Sequence, residues 1–185
     1  MRQLFKTAVL LTLFFSSIVM FSSENSYALK EIKSSTADLA RSAYGMVLAN
    51  CVKNEARIDE NTGLIFTYTT FKVDESLKGE YGDEIVLRIV GGTVGDTTVS
   101  SPYLPNFTPN EDVILILGPY NTKGYPVLKS MSGGILRVET DNTGTKYVTT
   151  PVDGLDIIDP ATNQRSVNYN KVKLDDFIYS INEVL

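Results

Sequence analysis

The densest set of carboxylates in the chain is Asp153, Asp156 and Asp159, spaced three residues apart with Gly154 and Pro160 among them. Carboxylate oxygens are what a hard cation such as calcium takes, six to eight to a shell. The spacing fits no EF-hand loop, and Asp beside Gly or Pro is ordinary turn chemistry. No metal or other cofactor is therefore expected, and these three aspartates are the candidates if there is one. Asp141-Asn142-Thr143-Gly144 has a similar composition but lies between two strand-like segments, where it reads as a hairpin turn.

Histidine is absent from all 185 residues. That removes the usual general base at neutral pH, the Ser-His and Cys-His nucleophile pairs and the commonest zinc ligand. Acid–base work could fall only to carboxylates, and Glu80, Asp83, Glu84 and Asp96 sit near strand ends. A glycosidase would need two of them facing each other across a cleft with one pKa raised, and nothing in the spacing indicates that geometry. The single cysteine, Cys51, allows no intrachain disulfide and reads as a small buried hydrophobe. No catalytic residue is assigned.

Binding has a better candidate. The connection from Thr93 to Pro109 is long and carries Val94, Val99, Tyr103, Leu104 and Phe107, stiffened by Pro102, Pro105 and Pro109. Loops of this length inside a domain are commonly functional. The expected binding residues are Val99, Tyr103, Leu104 and Phe107, joined by Lys78 and Tyr81 of the turn at Lys78 to Gly82. Tyr103 and Phe107 are the expected anchors, because aromatic side chains dominate interface energetics. The alternative is that Tyr103, Leu104 and Phe107 only cover one end of the core.

The elements that must hold these residues are mostly strands. Tyr44 to Val52 is an apolar run of strand length. Leu64 to Asp74 alternates Ile65, Thr67, Thr69, Phe71 and Val73 against Phe66, Tyr68, Thr70 and Lys72, which predicts a hairpin around Asp59 to Gly63. Glu84 to Val90 alternates again. Val113 to Leu117 is apolar at every position, as a strand covered on both faces would be. Tyr125 to Leu128, Ile135 to Glu139 and Lys146 to Thr150 complete the strands. A short helix is predicted over 34–42, capped by Ser35 or Thr36. A second, amphipathic one is expected at the C-terminus, with Leu174, Phe177, Ile178, Ile181 and Leu185 on one face.

The N-terminus carries Arg2 and Lys6, an apolar run from Ala8 to Phe21 broken by Thr12, Ser16 and Ser17, and the small residues of Ser26-Tyr27-Ala28. This reads as a signal peptide over residues 1–28, cleaved after Ala28, which predicts a secreted or periplasmic location and no membrane span after cleavage. The whole chain has a net charge of −5, and losing Arg2, Lys6 and Glu24 leaves the remainder slightly more acidic. No Lys/Arg cluster reverses that sign locally, so nucleic acid is not an expected partner.

Four segments, Ala43-Tyr44-Gly45-Met46-Val47-Leu48-Ala49, Tyr68 to Gly79, Glu84 to Ile89 and Asn110 to Leu117, follow one another in a pattern that resembles the netrin-like module. This is the OB-type barrel of the tissue inhibitors of metalloproteinases and related bacterial secreted domains. The resemblance runs over roughly residues 43–149. It implies that residues 29–185 form one mainly β domain, a small OB-like antiparallel barrel with a short N-terminal helix and a C-terminal amphipathic helix. The inhibitors chelate a protease zinc through an N-terminal cysteine, and no residue here can take that role. Asn110 stands where such domains have Gly, which suits Asn's tolerance of a left-handed backbone. The expected function is a secreted, non-enzymatic protein-interaction module whose partner is an extracellular or periplasmic protein such as a protease. An envelope or surface structural component is the alternative, and a carbohydrate- or calcium-binding domain a third. OB-type barrels bind oligosaccharides across their second and third strands, where Tyr68 and Tyr81 would be available for stacking.

Overall fold

The computed structural model describes residues 34–131, 133–152, 154–155, 157–159, 161–165 and 169–185. Residues 1–28, read above as a signal peptide, and two of the three candidate aspartates, Asp153 and Asp156, lie outside the described residues. Among the described residues no helix is long and apolar enough to cross a membrane.

The centre of the fold is a long hairpin of β1 (Gly45–Ile58) and β2 (Ile65–Lys78). Asp59 closes it: its Oδ1 accepts the Asn61 and Thr62 amides, each at 3.1 Å, while Gly63 takes φ 69°. Strand β1 runs on through Lys53 to Ile58, past the apolar run that ends at Val52 in the sequence. The reason is its partner, because the alternating β2 supplies a ladder from Met46↔Lys78 to Ile58↔Ile65. Three register shifts, the last between Cys51 and Lys53, interrupt this ladder, and bulges of that kind bend and twist a sheet.

Six more strands extend the sheet: β3 (Glu84–Val90), β6 (Asp112–Tyr120), β7 (Pro126–Leu128), β8 (Ile135–Thr140), β9 (Lys146–Val148) and β10 (Val172–Lys173). Their order is β3-β2-β1-β6-β8-β9-β10, with β7 on the far part of β6, and every pairing is antiparallel. Two further strands, β4 (Gly92–Val94) and β5 (Thr97–Val99), form a separate ribbon. The mainly β, antiparallel expectation is met, but the sheet does not close into a barrel. Strand β7 approaches β3 without joining its ladder. It has only three residues, and its first, Pro126, has no amide hydrogen to donate.

Strands β1 and β6 separate two apolar cores, which explains why both read as continuously hydrophobic. Val47, Ala49, Cys51, Val113, Leu115 and Leu117 face inward with Phe71, Leu87 and Ile89. Met46, Leu48, Ile114 and Ile116 face outward, beneath helix α1 (Thr36–Ser42) and helix α2 (Leu174–Asn182). Ser35 caps α1 by accepting the Asp38 amide at 3.1 Å, an arrangement worth about 1 kcal/mol. Helix α2 buries Leu174, Phe177 and Ile181, and the buried Ser180 hydroxyl holds the Ile158 amide at 2.7 Å. Leu185 departs from the expected stripe: it lies beyond the end of α2 and is exposed.

Candidate binding site

The site is built where β3 ends. Gly91 and Gly92, at φ 108° and 124°, turn the chain out of β3 and lay it across β1 and β2. A Cβ on Gly92 would stand 2.5 Å from Thr67 Oγ1 and 2.9 Å from Ala56 Cβ, so only glycine permits that approach. The chain then forms the β4–β5 ribbon around Gly95-Asp96. Gly95 takes φ 57° at the first central position, where a type II′ turn requires it. From Ser100 to Phe107 the chain returns over the open end of the curled sheet.

Under this covering lies a cavity of about 420 Å³, within the range of small-ligand pockets, roughly 300–1,000 Å³. Ile89, Val99, Leu104 and Phe107 give its apolar wall, and Asn54, Thr67, Thr69, Thr93, Thr98, Ser100, Ser101 and Asn106 its polar one. No charged side chain among the described residues lines it. Part of the polar wall is already paired: Thr69 donates to Asn54 Oδ1 at 2.7 Å, Asn54 Nδ2 to Phe107 O at 2.8 Å, and Thr67 to Gly91 O at 2.8 Å. Nothing on this wall can take up or deliver a proton at neutral pH, so the arrangement can hold a neutral group but not perform acid–base chemistry on it.

Of the expected binding residues, the structure brings Val99, Leu104 and Phe107 to this cavity. Val99 is exposed and Leu104 half-buried, while Tyr103 projects beside them, 84% exposed. Phe107, one of the two expected anchors, lies as the alternative reading has it, over one end of the core. It is a core side chain, packed edge-on against Phe71 at 4.9 Å between ring centres. The loop is pinned just beyond it. Asn110, at φ 69°, donates to Cys51 O at 2.7 Å, and Arg137 pairs with Glu111 and donates to Asn106 O at 2.9 Å.

Lys78 and Tyr81 are not part of this site, because they sit where β1 begins. Lys78 Nζ donates to Ala40 O and Arg41 O, both at 2.9 Å, and so caps α1. Tyr81 rests on Gly45, where any Cβ would overlap its ring. Burial, then the neighbouring Tyr120 and Tyr44, push its hydroxyl pKa up. Tyr68 is no free stacking platform either. Arg57 lies over its ring at 5.4 Å, Tyr125 meets it edge-on at 5.6 Å, and its hydroxyl accepts from Arg88 at 3.2 Å.

Asp159, the candidate metal ligand within the described residues, accepts the amides of Ala161 and Thr162 at 2.8 and 3.3 Å. These bonds hold its carboxyl below the ordinary range. Asp141 is likewise engaged by Thr143 and Thr145, as its hairpin-turn reading requires. No three His, Cys, Asp or Glu side chains converge among the described residues. Cys51 is buried inside the curl, and that burial raises its thiol pKa.

Sequence reasoning missed the β4–β5 ribbon and the polar wall formed by Asn54, Thr67 and Thr69. A signal for the ribbon was present, since Gly95-Asp96 flanked by Thr93-Val94 and Thr97-Thr98-Val99 has the composition of a two-residue hairpin. Compared with protein-family models, with curated proteins and with solved structures, the chain matches none.

Proposed function

We propose that this chain is an exported, non-enzymatic interaction module that recognises a partner protein with the Gly91–Phe107 segment. The observation that carries the reading is an uncharged cavity opening beside two exposed apolar side chains, Val99 and Tyr103, on a loop pinned at both ends. A pinned loop loses little conformational freedom on binding, which favours recognition. The order β3-β2-β1-β6, with β7 lying near β3, supports reading the fold as an opened OB-like barrel of the netrin-like kind. The lysine and tyrosine turn expected to assist lies at the other end and is left out of the surface.

The test is capture of an extracellular or periplasmic protein by the immobilised chain. Replacing Val99 by Ser and Tyr103 by Ala is expected to abolish capture while circular dichroism stays unchanged. Tyr44→Ala, at the opposite end, is expected to leave it intact. Capture that survives the double replacement refutes the assignment.

A second reading, a surface component that works by self-association, is favoured by one observation. Tyr44 and Tyr120 stand 65% and 51% exposed beside Tyr81 where β1 begins. Sedimentation of the purified chain decides it: a monomer that becomes no larger with concentration removes this reading.

A further inference from the structure

We infer that the cavity takes the uncharged side chains of an extended peptide whose main chain adds to the free edge of β5. The inference rests on the proposed function and names the chemistry of the partner. Among the described residues, strand β5 is paired on one side only, with β4, and all three of its residues are exposed. In a two-residue hairpin the pair flanking the turn exchanges both hydrogen bonds, and such pairs then alternate along the ladder. Val94↔Thr97 and Gly92↔Val99 are therefore the bonded pairs, and the Thr98 amide and carbonyl point away from β4. Thr98 also lines the cavity, as do its neighbours Val99 and Ser100. An extended strand presents residues i and i+2 on one face. A peptide bonded to Thr98 thus places two alternate side chains toward the cavity mouth.

The wall decides which side chains. A carboxylate or ammonium brought against Ile89, Leu104 and Phe107 finds no opposite charge there, so burying it is unfavourable. An aliphatic side chain meets the same surface without that penalty. A sugar seated in the cavity has no ring to stack on within its wall, because Phe107 there is 4% exposed and turned into the core, and the exposed Tyr103 stands outside the lining.

The test titrates the full chain, labelled with ¹⁵N, with blocked heptapeptides Ser-Thr-Xaa-Thr-Xaa-Thr-Ser in which both Xaa are Leu, Asp or Lys. The Leu peptide is expected to shift amides between Gly91 and Phe107, to slow exchange of the Thr98 amide, and to bind at least about tenfold more tightly than the other two. Thr98→Pro, which removes the outward-facing amide as well as the hydroxyl that meets Thr93, is expected to lose this binding, while Thr98→Val, which removes the hydroxyl alone, retains it. N-methylating the central Thr of the peptide gives the same loss without altering the protein. Equal affinity for all three peptides, absence of shifts, binding unaffected by Thr98→Pro and by N-methylation, or shifts produced by cellobiose in place of the peptides would each overturn the inference. Protein capture that depends on Val99 and Tyr103 but survives Thr98→Pro discards this mode of binding and leaves the proposed function standing. Capture indifferent to Val99 and Tyr103 discards the function itself.

Discussion

The two ends of the curled sheet are closed by different means. Where β1 begins, packed side chains do it: the Tyr81 ring fills the space over Gly45, and Lys78 reaches the last carbonyls of α1. Where β3 ends, a backbone excursion does it, and space remains beneath. The first arrangement needs a bulky residue facing a missing Cβ. The second needs two glycines at positive φ, a tight ribbon and one buried anchor, Phe107. Side chains pack to fill space, whereas main chain can arch over it, and this is why a cavity lies at one end. The contrast also explains why Tyr103 and Phe107, four residues apart on one loop, have opposite environments: the anchor must be inside for the rest to stand outside.

Removing the anchor is the most severe way to erase this difference. Phe107→Ala takes a ring from the inner core and from its edge-on contact with Phe71. It should cost about 3–5 kcal/mol. Amide exchange should accelerate from Ser100 to Asn110 while the region around Tyr81 keeps its protection. Chemical denaturation together with hydrogen exchange measures both. A loss below about 1 kcal/mol would mean that Phe107 does not anchor the loop.

Next in size are the two glycines. Gly92→Ala forces a side chain into positive φ and against Thr67 Oγ1, which is itself held by Gly91 O. Roughly 2–3 kcal/mol is expected from overlap and backbone strain together. Gly45→Ala also overlaps a neighbour, but that neighbour is the end of a half-buried tyrosine ring that can swing toward solvent. It should cost nearer 1 kcal/mol. Urea midpoints of the two variants, at unchanged m-value, give the ranking, and a reversed order would show that the Tyr81 end is the more rigid closure.

The same contrast marks how far the sequence is legible. The hairpin, the alternation of β3 and the doubly buried β6 are plain in it, because each is a periodic pattern imposed by a sheet with one or two covered faces. Ser35 and the Asp59 turn are legible from side chains that bond their own local backbone. The loop has no period, so nothing in its order separates an inward Phe107 from an outward Tyr103. That distinction comes from partners distant in the chain, Phe71 and Arg137. Barrel closure, which the netrin-like resemblance implies, is likewise decided by partners distant in the chain. It depends on whether β7 can reach β3, and a three-residue strand that starts with proline cannot complete that ladder. Lys78 and Tyr81 are near the loop in sequence order but belong to the other end, because long strands carry consecutive turns apart.

The smallest effect expected is a difference in acid response. The hairpin tip and the start of β6 are held by charge. Asp59 pairs with Arg88 at 2.6 Å, and Asp112 accepts from Lys146 and Asn50, each at 2.7 Å. Burial pulls both carboxyls upward, but hydrogen bonds and cations outweigh it. Thr62, Asn61 and Arg88 do so for Asp59, and Lys146 and Asn50 for Asp112, so both are held below their ordinary value of 3.8. A carboxyl depressed in the folded state contributes stability that is complete above its unfolded pKa and disappears as pH falls through the folded one. Stability should therefore hold from neutral pH to about pH 5 and decline below about pH 4. Asp59→Asn should flatten part of that decline while lowering stability at neutral pH, since Arg88 then loses a carboxylate partner. The end where β1 begins is closed by a ring and by a lysine on main-chain carbonyls, so protonating carboxylates does not release it. Hydrogen exchange at low pH is thus expected to loosen the hairpin tip and the Cys51–Asp112 region before Tyr44 to Met46. Simultaneous loosening of both ends would mean that they are coupled through β1 more strongly than these local contacts imply.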